Sequence, residues 1–188
     1  MLGKLLKYDF KNLYKTLLPI YLITVVITVL TVILNNLSDT SNLFSTLNGL
    51  MILSYIVILM VLVVGTFFLS IRDFYLDFAT ERGYLINTLP VKKSTIITSK
   101  FITSVTTMIS SIIVMFISIL ILVIGNGEWT TFANGIANFF RDIPTDGVVM
   151  LILTAILMIV AYISGLAVCY LSIALGQLKN TNKLGYSF

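Results

Sequence analysis

The chain has 188 residues, 58% of them hydrophobic and 11% charged, with a net charge of +4 and a mean hydropathy of +1.04. Soluble domains carry about 25% charged residues, so this composition excludes an ordinary globular enzyme and fits a chain solvated by lipid. The basic residues sit beside apolar runs rather than in a separate basic domain, which argues against a nucleic-acid partner.

The residue inventory narrows the chemistry further. No histidine occurs, which removes the commonest general base and metal ligand. The single cysteine, Cys169, lies in an apolar run, so one chain offers neither a disulfide nor a cysteine-based metal site. The expectation is an all-α, polytopic membrane protein that is not an enzyme, with no catalytic residues, cofactor or metal of its own.

Residues 1–16 carry Lys4, Lys7, Lys11 and Lys15 at steps of three and four. On a helix these fall within an arc of about 80°, with Leu2, Leu6, Phe10, Leu13 and Leu17 on the far side. That pattern predicts an interfacial amphipathic helix over 1–16, its lysines reaching anionic headgroups of the membrane lipids. The transmembrane part is expected over 17–188.

Four apolar spans follow, at 17–34, 50–71, 101–124 and 147–175. Pro19 stands in the opening turn of the first, where a missing N–H costs little. The fourth exceeds a hydrocarbon core of about 30 Å and must tilt, kink or protrude. None of these four spans contains Asp, Glu, Lys, Arg or His. Ion-coupled carriers usually place an ionisable group within the membrane, so the driving force is expected to enter from outside the bilayer. The same absence argues against an intramembrane enzyme.

Eleven of the twelve Lys and Arg residues lie in 1–16, in 72–100 or after Leu175, and Arg141 is the exception. The positive-inside rule then places both termini and the 72–100 loop in the cytoplasm of a bacterial inner (plasma) membrane. Of the two outer loops, 35–49 is a plain polar connection. The other, 125–146, holds Trp129, Phe132, Phe139 and Phe140. It reads as an interfacial aromatic segment or as a lid over a substrate path.

The third span bears Thr103, Ser104, Thr106, Thr107, Ser110, Ser111 and Ser118 on one side, over an arc of about 160°. Small hydroxyl residues allow close helix packing. The same face, Thr103, Thr106, Thr107, Ser110 and Ser111 above all, could line a subunit seam or a translocation path.

The 72–100 loop, RDFYLDFATERGYLINTLPVKKSTIITSK, is the one sizeable charged interruption. If the second span continues as a helix, Phe74, Tyr75 and Phe78 share a face, with Asp73 and Asp77 opposite, and the helix ends near Gly83. Pro90 forces Leu89 into extended geometry, and Ser94 or Thr95 caps the following helix. Phe74, Tyr75, Phe78 and Tyr84 close together on a cytosolic loop read as an exposed binding surface.

The order of a basic amphipathic start, two spans and then ERGYLINTLPVKKSTIITSK resembles permease subunits of bacterial ATP-binding-cassette (ABC) transporters of the type 2 exporter-like group. Gly83, Tyr84, Leu85, Thr88, Leu89, Pro90, Val91, Ser99 and Lys100 carry the likeness. LLKYDFKNLYKTLLPIYL at the start is similar to their opening segment. The resemblance implies a membrane subunit that dimerises with a second permease, of the same or another kind, and is driven by a separate cytosolic ATPase subunit that binds ATP and Mg. The loop would supply a coupling helix. Asp73, Phe74, Tyr75, Asp77, Phe78, Glu81, Arg82, Gly83 and Tyr84 would meet the partner, the aromatics in its groove and the charged residues at its rim. No GxxxxGK[ST] phosphate loop is present in the chain. Members of this group usually have six spans, so four spans ending at LGYSF read as a shortened chain or a four-span relative. The rival expectation is a non-transporting immunity, assembly or scaffold protein whose loop recruits a cytosolic partner.

Overall fold

The computed structural model describes residues 2–37, 42–79 and 93–176. Five helices account for nearly all of them: α1 Leu2–Leu37, α2 Asn42–Ala79, α3 Lys93–Gly125, α4 Trp129–Asp142 and α5 Thr145–Gly176. No strand occurs among the described residues. Four of the helices contain segments long and apolar enough to cross a membrane: Leu5–Leu37, Leu43–Phe78, Ser94–Gly125 and Asp146–Gly176. The chain is an all-α, multi-pass membrane protein.

What is buried supports lipid as the solvent. Among the described residues, fifteen buried side chains are polar or charged and ten are hydrophobic. Large aliphatic residues such as Leu22, Val57, Met60 and Leu157 stand exposed. Water would drive the opposite distribution. In lipid, helices associate through small and hydroxyl-bearing stripes instead. The buried stripe of α2 is Tyr55, Leu62, Thr66, Ser70, Asp73, Phe74 and Asp77, which falls within an arc of about 120° on a helix.

The helices are longer than the sequence pattern predicts. Residues 2–16 are no separate interfacial helix; they are the first turns of α1, which runs unbroken for 36 residues with Pro19 inside it. Pro19 withholds one backbone bond and is exposed. Neighbouring groups in spanning helices commonly make good such a loss. Likewise α2 runs on to Ala79 and α3 begins at Lys93, so much of the expected 72–100 loop is helix. Residues 80–92 lie outside the described residues.

The contacts divide the chain into two compact units. One comprises 2–16, 65–79, 93–108 and 156–176 among the described residues, and the other 17–37, 42–64 and 109–155. The change of unit in α1 thus falls where the sequence pattern changes from basic to apolar.

The first unit gathers the start of α1, the end of α2, the start of α3 and the end of α5. Its apolar core is Phe74, Leu166, Tyr170 and Ile173, with Phe67, Ile71, Tyr75, Phe78, Phe101 and Tyr162 packed around it. Phe74 stacks on Tyr170 with ring centroids 3.9 Å apart and planes 8° from parallel. Phe78 also stacks on Phe74 at 4.4 Å, and Phe101 meets Tyr170 edge-on at 5.1 Å. Each such pair adds about 0.5–1.5 kcal/mol beyond area burial.

Hydroxyl bonds hold the second unit. Tyr21 Oη lies 2.9 Å from Ser110 Oγ and 2.8 Å from Ser111 Oγ. Thr28 and Ser118 are bonded at 2.7 Å, and Ser118 donates to Tyr55 Oη at 3.2 Å. Helix α3 ends in a Schellman motif: Glu128 N–H bonds Val123 O and Gly127 N–H bonds Ile124 O, both at 3.1 Å, with Gly127 at φ 72°. The positive φ is why glycine stands there.

Candidate functional site

The first unit contains a buried charge centre built from three helices. Lys100, near the start of α3, projects between Asp9 of α1 and Asp73 and Asp77 of α2. Its Nζ lies 2.8 Å from Asp9 Oδ1 and 2.6 Å from Asp73 Oδ2, and it also contacts Asp77 Oδ2. All four side chains are 5% exposed or less. Asp73 and Asp77, one helical turn apart on α2, present carboxylates on the same face.

Further bonds fix the geometry. Ser99 donates to Asp9 Oδ2 at 2.6 Å, and Asn12 donates to Asp73 Oδ1. Asp77 Oδ1 has no hydrogen-bond partner among the described residues. A cavity beside the centre is lined by Asn12, Leu13, Thr16, Leu69, Arg72, Asp73 and Leu76. One carboxylate oxygen from each acid lies within 4.8 Å of the others, a spacing that suits a cation held by hard oxygen donors. The cation they hold is the lysine ammonium.

With every group ionised, three carboxylates against one ammonium leave a formal excess of two negative charges. Buried charges persist where they are paired and hydrogen-bonded, so the centre acts as a clamp on the three helices. Its surplus negative charge also gives it capacity for another cation or a proton.

This centre corrects the expectation that the spans offer no titratable handle. The expected spans end with the apolar runs, whereas the helices run past those edges and carry Asp9, Asp73, Asp77 and Lys100 into a buried position. The available signal was Asp9. It stands opposite the four lysines, about 20° from the apolar arc of α1, where a carboxylate facing lipid or core needs a partner.

The expected partner-binding residues divide into three groups. Asp73, Phe74 and Asp77 are buried within the chain, so they are not an exposed docking surface. Their charges and ring are used by Lys100 and Tyr170. Tyr75 and Phe78 are half-buried against the aromatic core. Glu81, Arg82, Gly83 and Tyr84 lie outside the described residues.

Much of the hydroxyl face of α3 is packed within the chain. Thr103, Thr107 and Ser111 are buried, while Thr106 and Ser110 are half-buried. Ser104 bonds Tyr170 at 2.9 Å, and Ser110 and Ser111 bond Tyr21. Thr103 and Thr106 bond carbonyls one turn back on their own helix.

No family model matches this chain, and neither the curated proteins nor the solved structures include one with significant similarity to it.

Proposed function

We propose that the chain is the transmembrane subunit of an ATP-driven exporter of the ABC type, carrying no ATPase of its own and working with a cytosolic ATPase partner and a second permease. In this reading both termini and residues 80–92 face the cytoplasm of a bacterial inner membrane, in keeping with the distribution of Lys and Arg. The observation that carries the proposal is where the charge centre falls. Asp73 and Asp77 precede the 80–92 segment, Lys100 follows it, and Asp9 joins them from α1. A partner pressing on GYLINTLPV would therefore move α1, α2 and α3 together through one buried lock. Those nine residues hold most of the family-like pattern, so they are also where the partner would sit.

The burial of Asp73, Phe74 and Asp77 narrows the docking surface. Glu81, Arg82, Gly83 and Tyr84 remain as the contact set, with Phe78 at its inner edge. The test is stimulation of the partner ATPase by reconstituted Tyr84→Ala. Lower stimulation with normal membrane insertion supports the assignment, and unchanged stimulation rejects it.

One observation favours a second reading, in which transport is linked to a proton or cation gradient. The buried carboxylates carry more negative charge than Lys100 neutralises, and intramembrane ionisable groups commonly mark such coupling. Transport that survives removal of ATP but stops with an ionophore would select this reading over the first.

A further inference from the structure

We propose that α4 is a lipid-docking helix, lying along the headgroup layer with Trp129, Phe132, Ile136, Phe139 and Phe140 immersed in phospholipid. None of its fourteen residues is buried within the chain. The five apolar side chains fall within an arc of about 100°, and Thr130, Thr131, Asn134, Asn138, Arg141 and Asp142 occupy the opposite arc of about 120°. Trp129, Ile136, Phe139 and Phe140 stand exposed and Phe132 is half-buried, and a helix with so clean a division and so open an apolar face is built for a boundary between oil and water.

Its tethers select lipid as the occupant. Only residues 126–128 separate it from the end of α3, and only Ile143 and Pro144 separate it from α5. Three extended residues reach about 10 Å at most, so neither end of α4 can leave the level at which those two spans end. Fourteen residues span about 21 Å; with both ends held at that level, the axis lies along the membrane plane. Apolar side chains also stand exposed on the two flanking helices, Ile124 at the end of α3 and Val148, Val149 and Met150 on α5. Aromatic residues prefer this depth.

Charge refines the lipid class. Glu128, Arg141 and Asp142 are the only ionised groups on α4 and its N-cap, giving no surplus of positive charge to attract anionic lipid. Docking therefore depends on the apolar arc, and zwitterionic phospholipid suffices. This inference is independent of the exporter reading.

Trp129 is the only tryptophan in the chain, so the full-length protein reports on α4 without labelling. The experiment uses vesicles of phosphatidylcholine brominated at shallow or deep positions of the acyl chain, with Trp129 fluorescence as the readout. The expected result is blue-shifted emission, stronger quenching by the shallow bromines than by the deep ones, and little quenching by aqueous acrylamide. Adding anionic lipid should leave these values unchanged. Phe139→Asp with Phe140→Asp should red-shift the emission and restore acrylamide quenching, whereas Asn134→Asp on the polar arc should do neither. Because these side chains are not buried, the variants should remain monodisperse. Strong acrylamide quenching of the unaltered chain would overturn the proposal in favour of a water-exposed helix. Quenching by neither reagent would overturn it in favour of a second copy or another protein covering the arc.

Discussion

Replacing Lys100 with methionine removes the one cation from the buried centre at little change in side-chain length. At an effective dielectric of about 20, a unit charge pair 2.6–2.8 Å apart attracts by about 6 kcal/mol. Two carboxylates within 4.8 Å repel by about 3.5 kcal/mol or more. The lysine therefore outweighs the repulsion among the acids, and its loss leaves that repulsion unopposed. Measured costs of breaking a buried ion pair run to about 3–5 kcal/mol, and Lys100→Met belongs at the upper end. Asp77→Asn provides the contrast. It gives up one attraction of about 6 kcal/mol and two repulsions of about 3.5 kcal/mol each. These nearly cancel, so its cost should stay within about 1 kcal/mol. The assay is unfolding of the purified chain in mixed micelles of mild detergent and SDS, comparing midpoints. A Lys100→Met variant no less stable than Asp77→Asn would refute the view that the ammonium holds three mutually repelling carboxylates.

Three further outcomes follow from the packing. Tyr170→Phe keeps the stack on Phe74 but loses the bond to Ser104, and should cost about 0.5–1.5 kcal/mol; Tyr170→Ala also opens a cavity and should cost about 3–5 kcal/mol in the same unfolding assay. A Cβ at Gly125 would collide with Val32 Cγ1 and lie 2.9 Å from its Cγ2, so Gly125→Val should destabilise by about 1–3 kcal/mol. At Gly65, inside α2, a Cβ meets nothing within 4 Å, and Gly65→Ala should stabilise by about 0.5–1 kcal/mol; loss of assembly in that variant would mark the surface as one a partner needs.

Much of the fold could be read from the sequence because lipid leaves a coarse signature. Apolar runs of twenty residues have few alternatives to a spanning helix, and all four runs lie within long helices. The ends were harder. Asp9, Asp73, Asp77 and Lys100 look like solvated flanks when each is read within its own segment. They become a buried centre only when three helices meet, and no local pattern records that Lys100 and Asp9 are neighbours. The same limit applies to Phe74. Beside Asp73 and Tyr75 it resembles an exposed anchor, yet its partner, Tyr170, lies ninety-six positions away in the chain. The hydroxyl stripe of α3 was legible as a packing face, but its dependence on Tyr21, Tyr55 and Tyr170 was not. Those three tyrosines carry no signal within apolar runs beyond their phenolic oxygens, which need partners once buried.

An exporter role requires the residues between α2 and α3 to receive a nucleotide-hydrolysing partner. Purification of the tagged full chain in mild detergent, with mass identification of what accompanies it, tests this directly. The expected result is a stoichiometric ATPase that is retained in Asp77→Asn and lost in Tyr84→Ala. Recovery of the chain alone, or with a partner lacking a nucleotide site, would contradict it.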